Sequence, residues 1–184
     1  MAEPLSDAAL DQLFRTARSY NGYLDKPVDA QQLHAIWDLM KMGPTSANQL
    51  PARLVWLTTP EAKERLATHA SATNGAKIRK APVSVIIAMD EHFHEQLPWL
   101  FPHVDARSWF AGSEEARKTS AFRNSTLQGA YFILAARALG LDAEFFAAEP
   151  NWKSNFISTL GYGDPETIFE RHPRPDFDTF NRIL

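Results

Sequence analysis

The chain has 184 residues, of which 45% are hydrophobic, and a formal net charge of −3 from 19 basic and 22 acidic side chains. This composition excludes global disorder and predicts one domain spanning residues 1–184. The absence of cysteine excludes disulfides, thiolate metal sites and a cysteine nucleophile, and the lack of a basic stripe argues against nucleic acid as a partner.

Three helices and one strand are predicted in the N-terminal part of the chain. Helical spacing of apolar residues over 8–17 indicates the first helix. Asp29, with Gln32 three positions later, is typical of a capping box that begins the second. Its apolar face carries Leu33, Ile36, Trp37 and Met40. Residues 53–58 favour a strand, and Thr59 followed by Pro60 begins a helix that ends near His69.

The C-terminal part is predicted to contain the central strand and the longest helix. Residues 83–89 are almost entirely apolar, which predicts a strand covered on both faces. Residues 91–110 favour a loop. A helix over 113–139 carries an apolar stripe and ends at Gly140 in a Schellman-type stop. The stripe consists of Leu127, Tyr131, Leu134, Ala135 and Ala138. Residues 156–160 predict a third strand. Because helices and strands do not alternate regularly, the fold class is α+β.

Four short polar clusters lie far apart in the chain, and each alone is compatible with a solvated surface patch. They are Arg18-Ser19-Tyr20-Asn21, Gly43-Pro44-Thr45-Ser46-Ala47-Asn48, Asn74-Gly75-Ala76-Lys77 and Arg171-His172-Pro173-Arg174-Pro175. Arginines near both chain ends suit bidentate binding of a phosphate. Small polar residues in a helix-ending turn suit close approach to a flat polar ligand. The pair His92 and His94 has metal-ligand spacing, but no third ligand is evident, so no metal site is predicted.

Together the four clusters resemble the nitroreductase family of FMN-dependent oxidoreductases. The resemblance implies a central, mostly antiparallel sheet flanked by helices, in an intertwined homodimer with FMN at the interface. The implied FMN-binding residues divide between the phosphate and the ring. Arg18, Ser19, Arg171 and Arg174 bind the phosphate, whereas Pro44, Thr45, Ser46, Asn48, Asn74 and Lys77 meet the ring, partly from the second subunit. Asn21 is a further implied FMN-binding residue. Many relatives carry a basic residue at this position, so the positive charge at the edge of the flavin ring comes from Lys77.

Longer matches resemble one branch of that family, the malonic semialdehyde reductases of pyrimidine degradation. They are Leu97-Pro98-Trp99-Leu100-Phe101-Pro102-His103, Asp105-Ala106-Arg107-Ser108-Trp109-Phe110, Phe122-Arg123-Asn124-Ser125 and Leu160-Gly161-Tyr162-Gly163-Asp164, together with the Gly43–Asn48 turn. The branch implies reduction of malonic semialdehyde to 3-hydroxypropionate with NADH or NADPH as hydride donor. Arg107 and Arg123 lie inside these matches and are the candidates for the substrate carboxylate. For Arg107, a structural salt bridge is an equally good interpretation.

One departure from the family concerns the segment after Leu141. Relatives carry a glycine-containing segment there, whereas Leu141-Asp142 here runs almost directly into Glu144-Phe145-Phe146. Either the segment is deleted, or the natural protein has a loop that this sequence does not include; we favour the second. A deletion would favour a non-catalytic flavin-binding protein. A further alternative is a flavin enzyme with a broad range of nitroaromatic and quinone substrates.

Neither a secretory signal nor an apolar run long enough to span a membrane is recognisable in the sequence. We therefore expect a cytoplasmic protein without membrane contact. Its expected partners are a second copy of the chain and a small-molecule substrate.

Overall fold

A computed structural model describes residues 3–147 and 154–183 of the chain. Its centre is one four-stranded sheet with the order β1-β2-β4-β3, in which every neighbouring pair is antiparallel. The strands are β1 (Ala52–Leu57), β2 (Val83–Met89), β3 (Asp142–Ala147) and β4 (Ser154–Gly161). The predicted α+β class with an antiparallel sheet is confirmed.

Helices account for most of the remaining regular structure. They are α1 (Asp7–Leu10, continued by a π-helical turn over Asp11–Arg15), α2 (Ala30–Met40), α3 (Pro60–Ala67), α4 (Ala72–Lys80), α5 (Leu97–Leu100), α6 (Ser108–Ala111), α7 (Glu114–Ala138) and α8 (Phe177–Phe180). None of the helices in the described ranges is long and apolar enough to cross a membrane.

The predicted helix ends are confirmed by their hydrogen bonds. Asp29 and Gln32 form both bonds of a capping box at the start of α2, and the Thr59 hydroxyl accepts from the main-chain N–H of Ala62 at the start of α3. At the end of α7, Gly140 adopts a φ of 73°. The main-chain N–H of Leu141 then reaches the carbonyl of Ala136 at 2.9 Å, as in a Schellman stop.

Strand β2 lies inside the sheet and is covered on both faces, as predicted. Val83, Val85 and Ile87 point into the main core, where α2 and α7 supply Ile36, Met40, Phe132 and Ala136. On the opposite face, α3 and α4 supply Leu66 and Ile78, which pack with Leu57 and Ile157 and against Ile86. The domain is therefore three layers deep around this strand.

Of the apolar stripe predicted for α7, only Ala135 belongs to the face that the helix buries. Leu127 is 41% exposed, and Tyr131 and Leu134 are only partly buried. The buried face instead includes small and polar residues: Ala121, Asn124, Ser125, Gln128, Gly129, Phe132, Ala135 and Ala136. Gly129 allows the ring of Phe156 to lie against the helix, because a Cβ there would come within 1.9 Å of that ring. The stripe is left largely free on the surface of this chain.

Three further elements differ from the prediction. Helix α4, which begins at a Ser71 cap and carries the Asn74–Lys77 cluster, was not predicted. Strand β3 was not predicted, so the strand expected over 156–160 is the fourth. The segment 91–110 contains a 3₁₀ turn (Phe93–Gln96) and two short helices, because Phe93, Leu97 and Ala106 form a small core with Ala121 of α7.

Replacing Ile87 with alanine is expected to lower the free energy of unfolding by about 2–5 kcal/mol, because Ile87 is fully buried in the sheet core. Val55→Ala, on the exposed face of edge strand β1, is the matched control and should cost about 0.5 kcal/mol or less. Urea unfolding at one protein concentration measures both. Equal losses would contradict the assigned layers.

Candidate functional site

A polar cavity of about 410 Å³ lies where the segment after α1 meets the segment after β4. It is lined by Ala17, Arg18, Ser19, Asn21, Lys77, Arg137, Glu144, Phe169, Glu170, Arg171, His172 and Arg174. The structure thus brings together the two predicted phosphate clusters from opposite chain ends, with Asn21 and Lys77 beside them. Arg137 and Glu144 were not predicted, because no motif marks the last turn of α7 or strand β3.

Antiparallel pairing of two loop segments brings the chain ends together. The N–H of Leu24 donates to the carbonyl of Tyr162 at 2.8 Å, and the N–H of Asp164 donates to Gly22 at 3.1 Å. One step further along, the Asn21 amide donates to the carbonyl of Thr167 at 2.8 Å. Because these bonds extend outward from the end of β4, they place residues 17–19 opposite residues 169–174.

The arginines of this cavity are positioned by main-chain carbonyls. Arg18 donates to Phe169, Arg171 donates to Ala17 at 2.8 Å, and Arg137 donates to Leu13 at 2.9 Å. Arg174 donates to the nearby carbonyl of His172 at 3.0 Å. Within residues 3–147 and 154–183, none of the four forms a salt bridge, although the Asp142 carboxylate lies near enough to Arg137 to interact with its charge.

The cavity therefore has a net positive charge. Its wall contains five cationic side chains (Arg18, Lys77, Arg137, Arg171 and Arg174) and two acidic ones (Glu144 and Glu170). Burial lowers the pKa of Arg137 from its ordinary value, yet a guanidinium stays charged near neutral pH. Clustered arginines with free donors favour a ligand that carries several anionic oxygens, such as a phosphate monoester.

Lys77 and Glu144 form an ion pair on the inner wall of the same cavity. The Lys77 Nζ lies 2.7 Å from the Glu144 Oε1, and each side chain is only 15% exposed. Glu144 comes from β3, three residues after Leu141. Asn74 lies one turn before Lys77 in α4, but it is not part of the cavity wall.

The predicted Pro44–Asn48 turn lies at a second cavity, of about 580 Å³, on the N-terminal half of α7. Its wall is formed by Ser46, Ser113, Glu115, Ala116, Thr119, Ser120, Arg123 and Asn124. This set shares no residue with the first cavity. A single chain therefore does not bring the turn together with the phosphate clusters.

The turn itself has an unusual backbone that α7 holds in place. Ala47 and Asn48 both have a φ of 49°, and Leu50 has a φ of 39°, values that non-glycine residues seldom adopt. The Asn124 side chain accepts from the N–H of Ser46 at 2.9 Å. The buried Gln49 side chain exchanges hydrogen bonds with the Ser120 hydroxyl. Such over-determined, strained backbone is typical of functional sites.

Side-chain and main-chain contacts also anchor both ends of the turn. The Asn48 amide donates to the carbonyl of Leu100 at 2.9 Å, and the Thr45 hydroxyl accepts from the N–H of Leu50. The Tyr131 hydroxyl donates to the carbonyl of Pro44 at 2.9 Å. Ser46 and Ser120 both line the second cavity.

The two arginines predicted for a substrate carboxylate have different environments. Arg107 forms a bidentate ion pair with Glu95, with contacts of 2.7 and 2.9 Å. Arg123 is exposed on α7 and lines the second cavity beside Ser46. No acidic side chain in the described ranges pairs with Arg123.

The described part of the chain holds no cluster of three or more histidine, aspartate or glutamate side chains that could bind a metal ion. His94 is buried against Phe93, and burial lowers its pKa, so it is a core residue of the 91–110 segment.

Comparison with known proteins gives a consistent result. The family model described as "Nitroreductase family" matches residues 14–148. A relative from Burkholderia lata, named "Putative NADH dehydrogenase/NAD(P)H nitroreductase", is 57% identical over 192 aligned positions, which cover 97% of this chain and 98% of the relative. A relative of the same description from Stenotrophomonas maltophilia is 54% identical over 195 positions and is covered in full, as is this chain.

Because that second match spans 195 positions and this chain has 184 residues, about 11 positions of the S. maltophilia relative have no counterpart here.

Solved structures share the fold at low sequence identity. A Bacillus subtilis protein described as "putative nitroreductase ydfN" superposes with a TM-score of 0.86 at 18% identity, covering 97% of this chain and all of that one. An Exiguobacterium sibiricum protein described as a "putative nitroreductase in complex with FMN" has a TM-score of 0.81 at 17% identity, and both chains are covered in full.

Proposed function

Since this chain belongs to the nitroreductase family, we propose that it is an FMN-dependent NAD(P)H oxidoreductase. One observation carries the proposal: four arginines that approach from different parts of the chain line one cavity, and none of them forms a salt bridge among the described residues. That arrangement fits the phosphate of FMN, and the flavin complex of a protein with the same fold supports it. When bound, FMN supplies hydride transfer between a nicotinamide and an oxidised substrate.

The protein's own residues bind and orient the cofactor in this proposal. Arg18, Arg171 and Arg174 hold the phosphate, with Ser19 and Asn21 as further hydrogen-bonding groups. Lys77 supplies positive charge near the ring, where negative charge develops during reduction. The turn from Pro44 to Asn48 offers hydroxyl, amide and main-chain groups to the ring, and Asn74 lies one helical turn from Lys77. No acid–base dyad is required of the side chains.

Replacing Arg18 or Arg171 with alanine is expected to weaken FMN binding about 10- to 100-fold, because a hydrogen bond to a charged group contributes about 1.5–3 kcal/mol. Riboflavin, which lacks the phosphate, should bind the variants and the wild type alike. Titration of both flavins into apoprotein, followed by flavin fluorescence, measures the difference.

Lys80→Ala is the matched control for the arginine variants, because Lys80 lies on α4 outside the wall of this cavity. It should bind both flavins with wild-type affinity. If the arginine variants lost riboflavin as strongly as FMN, the arginines would be structural supports and the phosphate assignment would fail.

We propose a homodimer in which one copy contributes the Pro44–Asn48 turn to the cofactor bound by the other. Two observations support it. The turn and the basic cavity are separate within one chain. An apolar groove of about 250 Å³ beside the free stripe of α7 lies on the surface, lined by Leu13, Leu39, Gly43, Tyr131, Leu134, Ala135 and Ala138. Large exposed apolar patches mark protein–protein contacts.

Light scattering at micromolar concentration should give twice the chain mass of 20.7 kDa. Leu134→Glu, in the middle of the groove, should produce a monomer, because an unpaired charge cannot be buried cheaply in an apolar interface. Lys80→Glu, outside the groove, should remain dimeric. A wild-type monomer would count against the shared site.

Malonic semialdehyde is the substrate that we propose, with 3-hydroxypropionate as product. This small acid needs a cation for its carboxylate, and Arg123 supports the assignment because it faces a polar cavity beside Ser46 without an acidic partner among the described residues. Arg107 is the other candidate, although it is engaged with Glu95. The names of the relatives favour nitroaromatic compounds as a second substrate class.

Arg123→Gln should raise KM for malonic semialdehyde at least tenfold and leave KM for a neutral nitroaromatic or quinone unchanged, because only the aldehyde acid carries a carboxylate. Arg107→Gln is the comparison and should have the smaller effect. Steady-state kinetics with NADPH and each oxidant measure the changes. If both variants kept wild-type turnover of the semialdehyde, the carboxylate assignment would be wrong.

A further inference from the structure

The pair formed by Lys77 and Glu144 differs from the other charges in the basic cavity. The arginines donate to main-chain carbonyls and remain free to attract an anion, whereas Lys77 already contacts a carboxylate at 2.7 Å. The pair is largely buried, so solvent and salt screen it less than a surface pair. The positive charge at this end of the cavity is therefore offset before any ligand arrives.

The second oxygen of Glu144 also needs a donor. Its Oε2 is buried, and no donor among the described residues hydrogen-bonds to it. The Ser158 hydroxyl donates to the main-chain carbonyl of Glu144 instead, and the Tyr23 hydroxyl bonds to Thr159. Leaving a carboxylate oxygen without a donor is costly, so the Glu144 charge is compensated chiefly by Lys77.

We propose that Glu144 is a positioning residue that acts through Lys77: it offsets the lysine charge beside the bound flavin and lowers the flavin's reduction potential. This inference rests on the proposed function. Reduction by a hydride brings two electrons and one proton, so the ring gains one negative charge when it is reduced. A free ammonium beside the ring would stabilise that charge, and a carboxylate paired with the ammonium removes most of the stabilisation.

A lower potential makes the reduced cofactor a stronger hydride donor. That property suits an aldehyde, which is harder to reduce than a quinone. In this arrangement Lys77 still orients the edge of the flavin ring through its remaining N–H donors. Glu144 determines the net charge beside the ring.

Glu144→Gln in the FMN-loaded protein should raise the midpoint potential, because it leaves Lys77 unopposed. We expect a tenfold change in the reduction equilibrium, which is about 30 mV for a two-electron couple. Adding Lys77→Met to this variant should reverse the rise. Anaerobic titration against a reference dye of known potential measures each value without relying on turnover.

Glu64→Gln is the control, because Glu64 also pairs with a cation of α4, Arg79, but lies outside the wall of this cavity. It should change the equilibrium less than about twofold. If Glu144→Gln did not retain FMN, Glu144→Ala would be measured, with the same rise expected. An unchanged or lower potential would overturn the inference.

Loss of FMN from both Glu144 variants would also overturn it, since the pair would then be needed to hold the cofactor. If the wild-type protein bound no FMN, the proposed function itself would fail, and this inference with it. The two failures are therefore distinct.

Discussion

The antiparallel pairing between residues 21–24 and 162–167 is the contact on which the candidate site depends. Its hydrogen bonds continue outward from β4 and hold the two ends of the chain side by side. Only through this pairing do Arg18 and Arg171 come to share a cavity, each donating to a carbonyl of the opposite segment. Because carbonyls rather than carboxylates position these arginines, the cavity keeps the charge that a phosphate requires.

The second constraint is the separation of this basic cavity from the strained turn at Pro44–Asn48. The turn is held firmly, since Asn124 and Gln49 fix it against α7 in a backbone conformation with positive φ angles at Ala47 and Asn48. Because the turn lines the second cavity, one chain cannot present it to a ligand in the basic cavity. We propose that two copies of the chain, packed through the exposed part of the α7 stripe, complete each other's cofactor sites.

Much of the fold followed from local patterns. The apolar run of β2, the capping box at Asp29 and the stop at Gly140 are decided within a few residues, so the sequence alone predicted them. The sequence did not show which face of α7 is buried, because the stripe that faces outward is as apolar as a core face. Strand β3 was missed because its pairing with β4 is a long-range choice rather than a local preference.

The candidate site likewise contains residues that the sequence predicts and residues that only the fold reveals. Arg18, Ser19, Asn21, Lys77, Arg171 and Arg174 were predicted from motifs, and they lie around one cavity. Arg137 and Glu144 were not, because their roles arise only when the end of α7 and β3 are folded against the N-terminal segment. The Lys77–Glu144 pair shows the consequence: a lysine that looks free in the sequence has its charge offset in the folded chain.

The absorption spectrum of the purified protein, recorded before and after NADPH is added under nitrogen, tests the central claim most directly. The account predicts a yellow protein, as isolated or after FMN is added, whose flavin absorbance bleaches with the nicotinamide. A colourless protein that also ignores added FMN would contradict it, because the arginine cavity would then not be a flavin phosphate site.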